Sequence, residues 1–513
     1  MLPRRELLAG AAGAALATRA ARAWDGGGLR HILPTVSHDR MLIKLSLAEP
    51  QQRPPVLHVG GQPVPGRRTD TRGLHWAFSA TGLEPARRYT LSLADAAGRP
   101  LCEDWPLATF PAPGDSPQRL RVLFYTCAGG HELTGRFVPM ATRTRLLQRA
   151  LSFAPDVLVA NGDHAYWDQR RQVGQATITL PEAALEVTGR FDRSLPIFGT
   201  ANEGVLERAI GEQITPLYGN LCRSLPVFFL QDDHDHLEND EATDRLITFP
   251  PDPFMLAGAR ASQRLWYPEF LPDPTRPLGL GSTRGNGLSE SYGTLRYGKL
   301  LEVLLYDCRR HLTLAGPSAS FMPDTTEAWL LARMARSDAA HVINAPSTPP
   351  GWSAGKWGEW YADLEGDGRL TTARPKPYWQ PGWRAQHDRL LAAASAMRDR
   401  VPLFVSGDLH SFGIGRITAS GSADFSRNPV VSVLSGPIGT GRMGFPSFIR
   451  GMVPQVPAGI TNEEIVRPIE ENGFTIADFT PEDVTLRCFK WRAEPAAAID
   501  TLEPFHTMRL ARG

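Results

Sequence analysis

Short apolar runs that stop abruptly at metal-binding side chains recur through this chain, and they constrain its fold more than any other feature. Val157 to Ala160 runs into Asn161-Gly162-Asp163, with Tyr166 and Asp168 close behind. A short apolar run bounded by a turn signal reads as a buried parallel strand. The stretch RLRVLFY runs into Cys127 and two glycines. Pro226 to Leu230 runs into Asp232-Asp233-His234-Asp235. The run from Val401 ends in Gly407-Asp408-Leu409-His410. A strand pair within Thr294 to Arg310 ends in Asp307-Cys308-Arg309. Between the first two runs, Val138, Met140, Leu146, Leu147 and Leu151 recur at helical spacing, which predicts a helix over 136–153. Strand, helix, strand in that order is a right-handed crossover unit, so Cys127 and Asp163 belong at the same sheet edge. The carboxyl edge is where open α/β sheets bind ligands. A single polar strand end is an ordinary loop start, whereas the recurrence in one α/β body points to a site.

In order and content these blocks resemble the metallophosphoesterase superfamily, whose motifs run D-x-H, GD-x-x-[DY], GNH-[DE] and GH-x-H. They are more similar to the PhoD-like alkaline phosphatases, which place cysteine first, DDH[DE] third and GD-x-H last. Here the blocks read YTCAGG, NGDHAYWD, QDDHDHLEND, LLYDCRR and SGDLHS. The resemblance implies an α/β fold: a metallophosphoesterase-type β-sheet sandwich flanked by helices, preceded by a small all-β domain of immunoglobulin or fibronectin type. Carried over by position, Asp163 bridges two metals. Cys127, Tyr166 and His410 complete one site, and Asp233, Asp408 and Asn239 hold the other. Thiolate, phenolate and imidazole suit a transition metal, with a phenolate favouring ferric iron. An all-oxygen set suits calcium or another hard cation. The family resemblance implies Fe3+ with Ca2+. The expected chemistry is in-line attack of a metal-bound hydroxide on a phosphate ester. His234 is the candidate to assist the leaving oxygen, and Arg309 the candidate phosphate clamp. Two departures bear on substrate choice. Gln231 stands where the family usually has tryptophan, and Thr313 to Tyr378, with Trp352, Trp357 and Trp360, matches no motif.

The remaining sequence sets the surroundings. A chain of 513 residues exceeds one ordinary core. Residues 1–23 resemble a twin-arginine export signal: Arg4-Arg5, an apolar run from Leu7 to Ala17, and a small-x-small cut site at Ala21-Arg22-Ala23. The apolar run is too short to span a bilayer comfortably. The expected location is periplasmic or secreted, with the translocase as partner during export. A retained membrane anchor is the alternative. Residues 24–112 alternate apolar and polar positions between turn signals, as in a small β-sandwich with Trp76 and Phe78 inside. Residues 119–513 form the expected catalytic domain. Phe249 to Gly287, rich in proline and glycine, reads as a loop or cap with little regular structure. Gly473 to Leu510 reads as β-rich. A net charge of +1 gives no ground for nucleic-acid binding, and a monomer is expected. The five cysteines form no CxxC pair, so a disulfide framework is not expected. Cys102, Cys222, Cys308 and Cys488 read as small buried residues. His164 reads as an exposed loop histidine, His131 and His236 as neighbours of ligands, and Trp383 as packing a helix start. The function expected is an exported phosphatase acting on phosphate mono- or diesters. Its rivals are a phosphodiesterase or phospholipase-type enzyme on lipid or wall polymers, and a non-catalytic exported binding protein.

Overall fold

Alternating strands in the first hundred residues pair into two four-stranded antiparallel sheets in the computed structural model. One orders Leu29–Val36, Arg40–Leu47, His75–Thr81 and Arg67–Arg68; the other orders Gln62–Pro65, Val56–Val59, Arg88–Ala94 and Trp105–Ala108. The structure describes residues 23–168, 180–240, 248–280, 286–313, 318–354, 363–364, 370–371, 381–492 and 495–512. The export-signal expectation and Trp357 and Trp360 lie outside these. Trp76 and Phe78 are buried in a core with Ile43, Leu45, Leu91 and Leu93.

The opposite face of the first sheet is buried as well, although it carries His31, Lys44, Ser46 and His75. Polar alternation in a strand predicts a wet face, but here the chain's own helices cover it. Buried charge must then be paired. Lys44 Nζ lies 2.9 Å from a Glu269 carboxylate and donates to the carbonyls of Gln263 and Arg264. His75 pairs with Glu207. His31 bonds Ser46 Oγ at 2.6 Å and the Trp266 carbonyl at 3.0 Å.

Two larger sheets form the body. The six-stranded sheet orders Val227–Leu230, Val157–Asn161, Leu120–Tyr125, Asn472–Phe479, Asp483–Trp491 and His506–Ala511. Its first three strands are parallel, in the register Val157↔Val122 and Leu158↔Val227. The predicted crossover helix, Met140–Leu151, connects Leu120–Tyr125 to Val157–Asn161. The second sheet has eight strands. Leu301–Tyr306, His341–Pro346, Leu403–Ser406 and Val430–Ser435 run parallel at its centre, with Tyr292–Tyr297 and Phe412–Ser420 antiparallel beside them. Val122, Phe124, Val157 and Val159 share a core with Val303, Leu305, Ile343, Val405 and Val433. The alternate residues, Leu123 and Leu158 on one side and Leu304 and Val342 on the other, pack with helices. Strands buried on both faces read as continuous apolar runs. Asn161 ties the layers at their carboxyl ends, donating to Val405 O at 2.9 Å and Pro346 O at 3.1 Å.

Two expectations need correction. The proline-rich stretch after Phe249 contains a regular helix, Pro253–Leu265, whose start Asp252 caps by accepting from Phe254 N and Met255 N. Asp-Pro at a helix start is a recognised signal that the proline count obscured. Glu203 to Leu217, which reads as a single helix in the sequence, is Ala201–Leu206 and Glu212–Tyr218, joined by one π-helical turn at Glu207–Gly211. Among the described residues no helix is long and apolar enough to cross a membrane.

Candidate metal centre

The four expected loops leave the carboxyl ends of their strands and converge. Cys127, Asp163, Asp408 and His410 all have left-handed backbone, with φ of 49°, 63°, 67° and 50°. Such conformations are uncommon away from glycine and collect at functional sites. They turn each side chain back over the sheet edge. Gly407 lets the loops close: a Cβ there would lie 2.1 Å from Thr126 Oγ1 and 2.2 Å from Asn161 O.

Asp163 sits at the centre. Its Oδ2 accepts from the Tyr166 hydroxyl at 2.9 Å and faces the Cys127 thiol at 3.4 Å. His410 Nε2 is 3.7 Å from that oxygen and 3.4 Å from the phenol. Thr440 Oγ1, 2.7 Å from His410 Nδ1, fixes the ring. Ligand atoms of Cys127, Asp163 and His410 all lie within 4.8 Å of one another, as do those of Asp163, Asp233 and His234, and of Asp232, Asp233 and Asp408. The structure thus brings Cys127, Asp163, Tyr166, His410, Asp233 and Asp408 together. Asn239 is half-buried, its backbone carbonyl accepting from the Thr248 hydroxyl.

Arg309 is placed differently from an open phosphate clamp. It is buried, with Nε 2.8 Å from Asp232 Oδ1 and Nη2 3.1 Å from Asp408 Oδ2 and 3.3 Å from Asp240 Oδ2. So dense a set of buried carboxylates outweighs one guanidinium and draws it inward. Asp232 and Asp240 are members of the site that sequence reasoning passed over. The Asp232-Asp233 doublet at the strand end was the available signal. Asp235 was also passed over. Its carboxylate accepts from the backbone N–H groups of Asp163, His164 and Asp232 at 2.8–2.9 Å and so locks two loops together.

The donors fit metal ions. Asp163 Oδ1 and Asp232 Oδ2 are buried with no hydrogen bond. Burial first, and Asp233 next, push the Asp163 carboxyl well above the usual range. Burial also pushes up Asp232, against the pull of Arg309. Burial, then the charge of Asp163, raises the Cys127 thiol and the Tyr166 phenol. Cations among these groups would offset both causes by stabilising the ionised forms, and metal binding releases the protons of its ligands. His234 goes the other way. Burial favours its neutral form, but Asp168, 3.0 Å from Nδ1, and Asp233 outweigh it and hold the ring up to about 10.

His164 corrects the expectation of an exposed histidine. It is buried, its Nε2 2.9 Å from the Leu230 carbonyl and its ring against Phe229 and Tyr267. His131 bonds the Arg208 carbonyl and His236 the Asp232 carbonyl, both with structural partners. Trp383 is buried in the first turn of Pro381–Ser395 and donates to Thr313 O at 2.8 Å. Cys102, Cys222, Cys308 and Cys488 are buried free thiols.

Two facing sheets jacketed by helices, with acidic, histidine and cysteine donors at one carboxyl edge, make up a fold shared with solved phosphatase structures. The chain is similar to a structure of PhoD, with a TM-score of 0.56 and 13% identity over 94% of this chain and 88% of that one. It is also similar to the purple acid phosphatase PPD1 from yellow lupin (Lupinus luteus) seeds, with a TM-score of 0.54 and 12% identity over 95% of this chain and 75% of that one. At these identities the likeness is one of fold. No protein-family model matches the chain. No curated protein matches it by sequence.

Proposed function

We propose that the chain is a metal-dependent phosphoesterase hydrolysing phosphate mono- or diesters at the edge where the four loops meet. One observation carries the reading: segments far apart in sequence set Cys127, Asp163, Asp233, Asp408 and His410 into interlocking clusters within 4.8 Å. Cys127, Tyr166, His410 and Asp163 would hold one ion, and ferric iron suits thiolate with phenolate. Asp163, Asp232, Asp233 and Asp408, with Asn239, would hold a hard cation such as calcium. Bound there, the ions supply Lewis-acid charge that activates water and neutralises phosphoryl oxygens.

The chain's own residues do the rest. Asp168, 3.0 Å from Nδ1, orients His234 and favours its imidazolium form, from which Nε2 would give its proton to the leaving oxygen. Arg309 holds Asp232, Asp240 and Asp408 in place. A diester of lipid or wall-polymer type is a second reading, favoured by exposed Met443 and Phe448 flanking Phe445, whose ring packs 4.5 Å from that of His410. The Arg4-Arg5 signal supports export of a folded, metal-loaded monomer to the periplasm or beyond.

The test is metal analysis of the purified chain and hydrolysis of p-nitrophenyl phosphate and bis(p-nitrophenyl) phosphate before and after chelation. Activity lost with chelator and restored with metal is expected. A chain that holds no transition metal and cleaves neither ester overturns the reading.

A further inference from the structure

Gln213 is fully buried on the helix Glu212–Tyr218 and belongs to none of the donor clusters. Its amide makes four hydrogen bonds, using its whole capacity. Oε1 accepts from Gly130 N at 2.6 Å and from Tyr166 N at 2.8 Å. Nε2 donates to Tyr166 O at 3.0 Å and Ala209 O at 2.6 Å. Gly130 ends the loop that leaves the first strand at Cys127, and Tyr166 stands on the loop that leaves the second. These loops already run side by side: Cys127 N donates to Gly162 O and Gly129 N to Asp163 O, both at 3.0 Å. The approach is so close that a Cβ on Gly129 would lie 2.7 Å from the His164 carbonyl. Gln213 spans the open end of this seam.

The side chain is held from behind as well. The π-helical turn Glu207–Gly211 precedes it directly. Glu207 on that turn pairs with His75 of the first sheet, and a Cβ on Gly211 would lie 2.8 Å from the Trp266 ring. Without the amide, two N–H groups and a carbonyl of the two loops lose their partner inside a buried site, and the loops must shift to recover one.

We infer that Gln213 is a positioning residue that sets the Tyr166 phenol and the Cys127 thiol in register with Asp163, and thereby sets how tightly the soft-donor site holds its metal. The inference rests on the phosphoesterase reading in taking those groups as metal donors. Partners of this kind, one bond removed from the ligands, commonly govern metal affinity and activity.

The test compares Gln213→Met, close in volume but without the amide, with Gln386→Met. Gln386 is another buried glutamine, bonded to Phe321, Met322 and Glu327 away from the site. Three quantities are measured on the purified full chain: metal retained in dialysis against rising chelator, thermal midpoint, and kcat and KM on p-nitrophenyl phosphate. Gln213→Met is expected to hold metal about 10- to 100-fold more weakly and to lose kcat by a similar factor, with KM little changed. Gln386→Met is expected to lower the midpoint while retaining metal as the wild type does. Tyr166→Phe combined with Gln213→Met is expected to lose less affinity than the sum of the two single losses, because the phenol's share is already gone. Wild-type retention in Gln213→Met, or equal loosening in Gln386→Met, overturns the assignment alone. A wild-type chain that holds no metal overturns the phosphoesterase reading and this assignment together.

Discussion

Replacing Asp163 by Asn separates the cost of the site from its use, because the two states of the protein respond with opposite sign. Asn keeps the shape, tolerates the left-handed backbone at φ 63°, and still accepts from the Tyr166 hydroxyl. What disappears is charge. Oxygens of Asp163 and Asp233 lie within 4.8 Å, so at an effective dielectric of about 20 their mutual repulsion is about 3 kcal/mol when both are ionised. In chelated protein the wild type bears that cost, or takes up a proton to avoid it, and Asp163→Asn bears neither. A body of this length gains roughly 1 kcal/mol of unfolding entropy term per degree, so the chelated variant should melt about 2–4 °C higher than chelated wild type. With metal present the order reverses. The variant lacks the charge shared by two of the three clusters, melts lower, and loses at least about 100-fold in activity. The assay is thermal unfolding of both proteins with and without chelator, beside hydrolysis of p-nitrophenyl phosphate. A chelated variant that melts below chelated wild type refutes the electrostatic argument. Full activity in the variant refutes the two-metal account.

Lys44→Met leaves Glu269 buried without its cation and should cost about 3–5 kcal/mol, while adding Glu269→Leu should recover most of it, as denaturant titration of single and double variants will show. Burial, with His75 next, lowers the His31 pKa to about 3. Unfolding returns it to the ordinary value near 6.5, so below that pH the unfolded chain binds a proton that the folded chain refuses. Stability from this group is therefore complete above pH ~6.5 and falls by about 1.4 kcal/mol per unit toward pH ~3. His31→Gln should show a shallower fall of thermal midpoint with acidification, and an unchanged slope counts against the buried neutral histidine. Gly407→Ala drives a Cβ into Thr126 and the Asn161 carbonyl, so activity should collapse along with a loss of about 1–3 kcal/mol in stability, read by assay and melting together.

Much of the site was legible because its chemistry sits at predictable places. Cys127, Asp163, Tyr166, Asp408 and His410 each follow an apolar run, and a parallel sheet presents the ends of such runs at one edge. The crossover helix and the strand order near Cys127 followed from the same periodicity. Other features depend on contacts between segments far apart in sequence. The Asp232-Asp233 doublet marks a strand end, but no local pattern says that Asp232 meets Arg309 or that Asp168 meets His234. His164 looked wet because it follows a turn, yet Phe229 and Tyr267 cover it.

By itself, the sequence determined which residue types stand at the strand ends and in what order, since local periodicity and turn chemistry act over a few residues. Tertiary structure alone decided their company. It turned Arg309 into a partner for carboxylates, buried the polar face of His31, Lys44 and His75, and placed Gln213 across two loops. The reason is physical: burial and pairing are properties of the whole packed chain, and a charge excluded from water takes whatever partner the fold brings within reach.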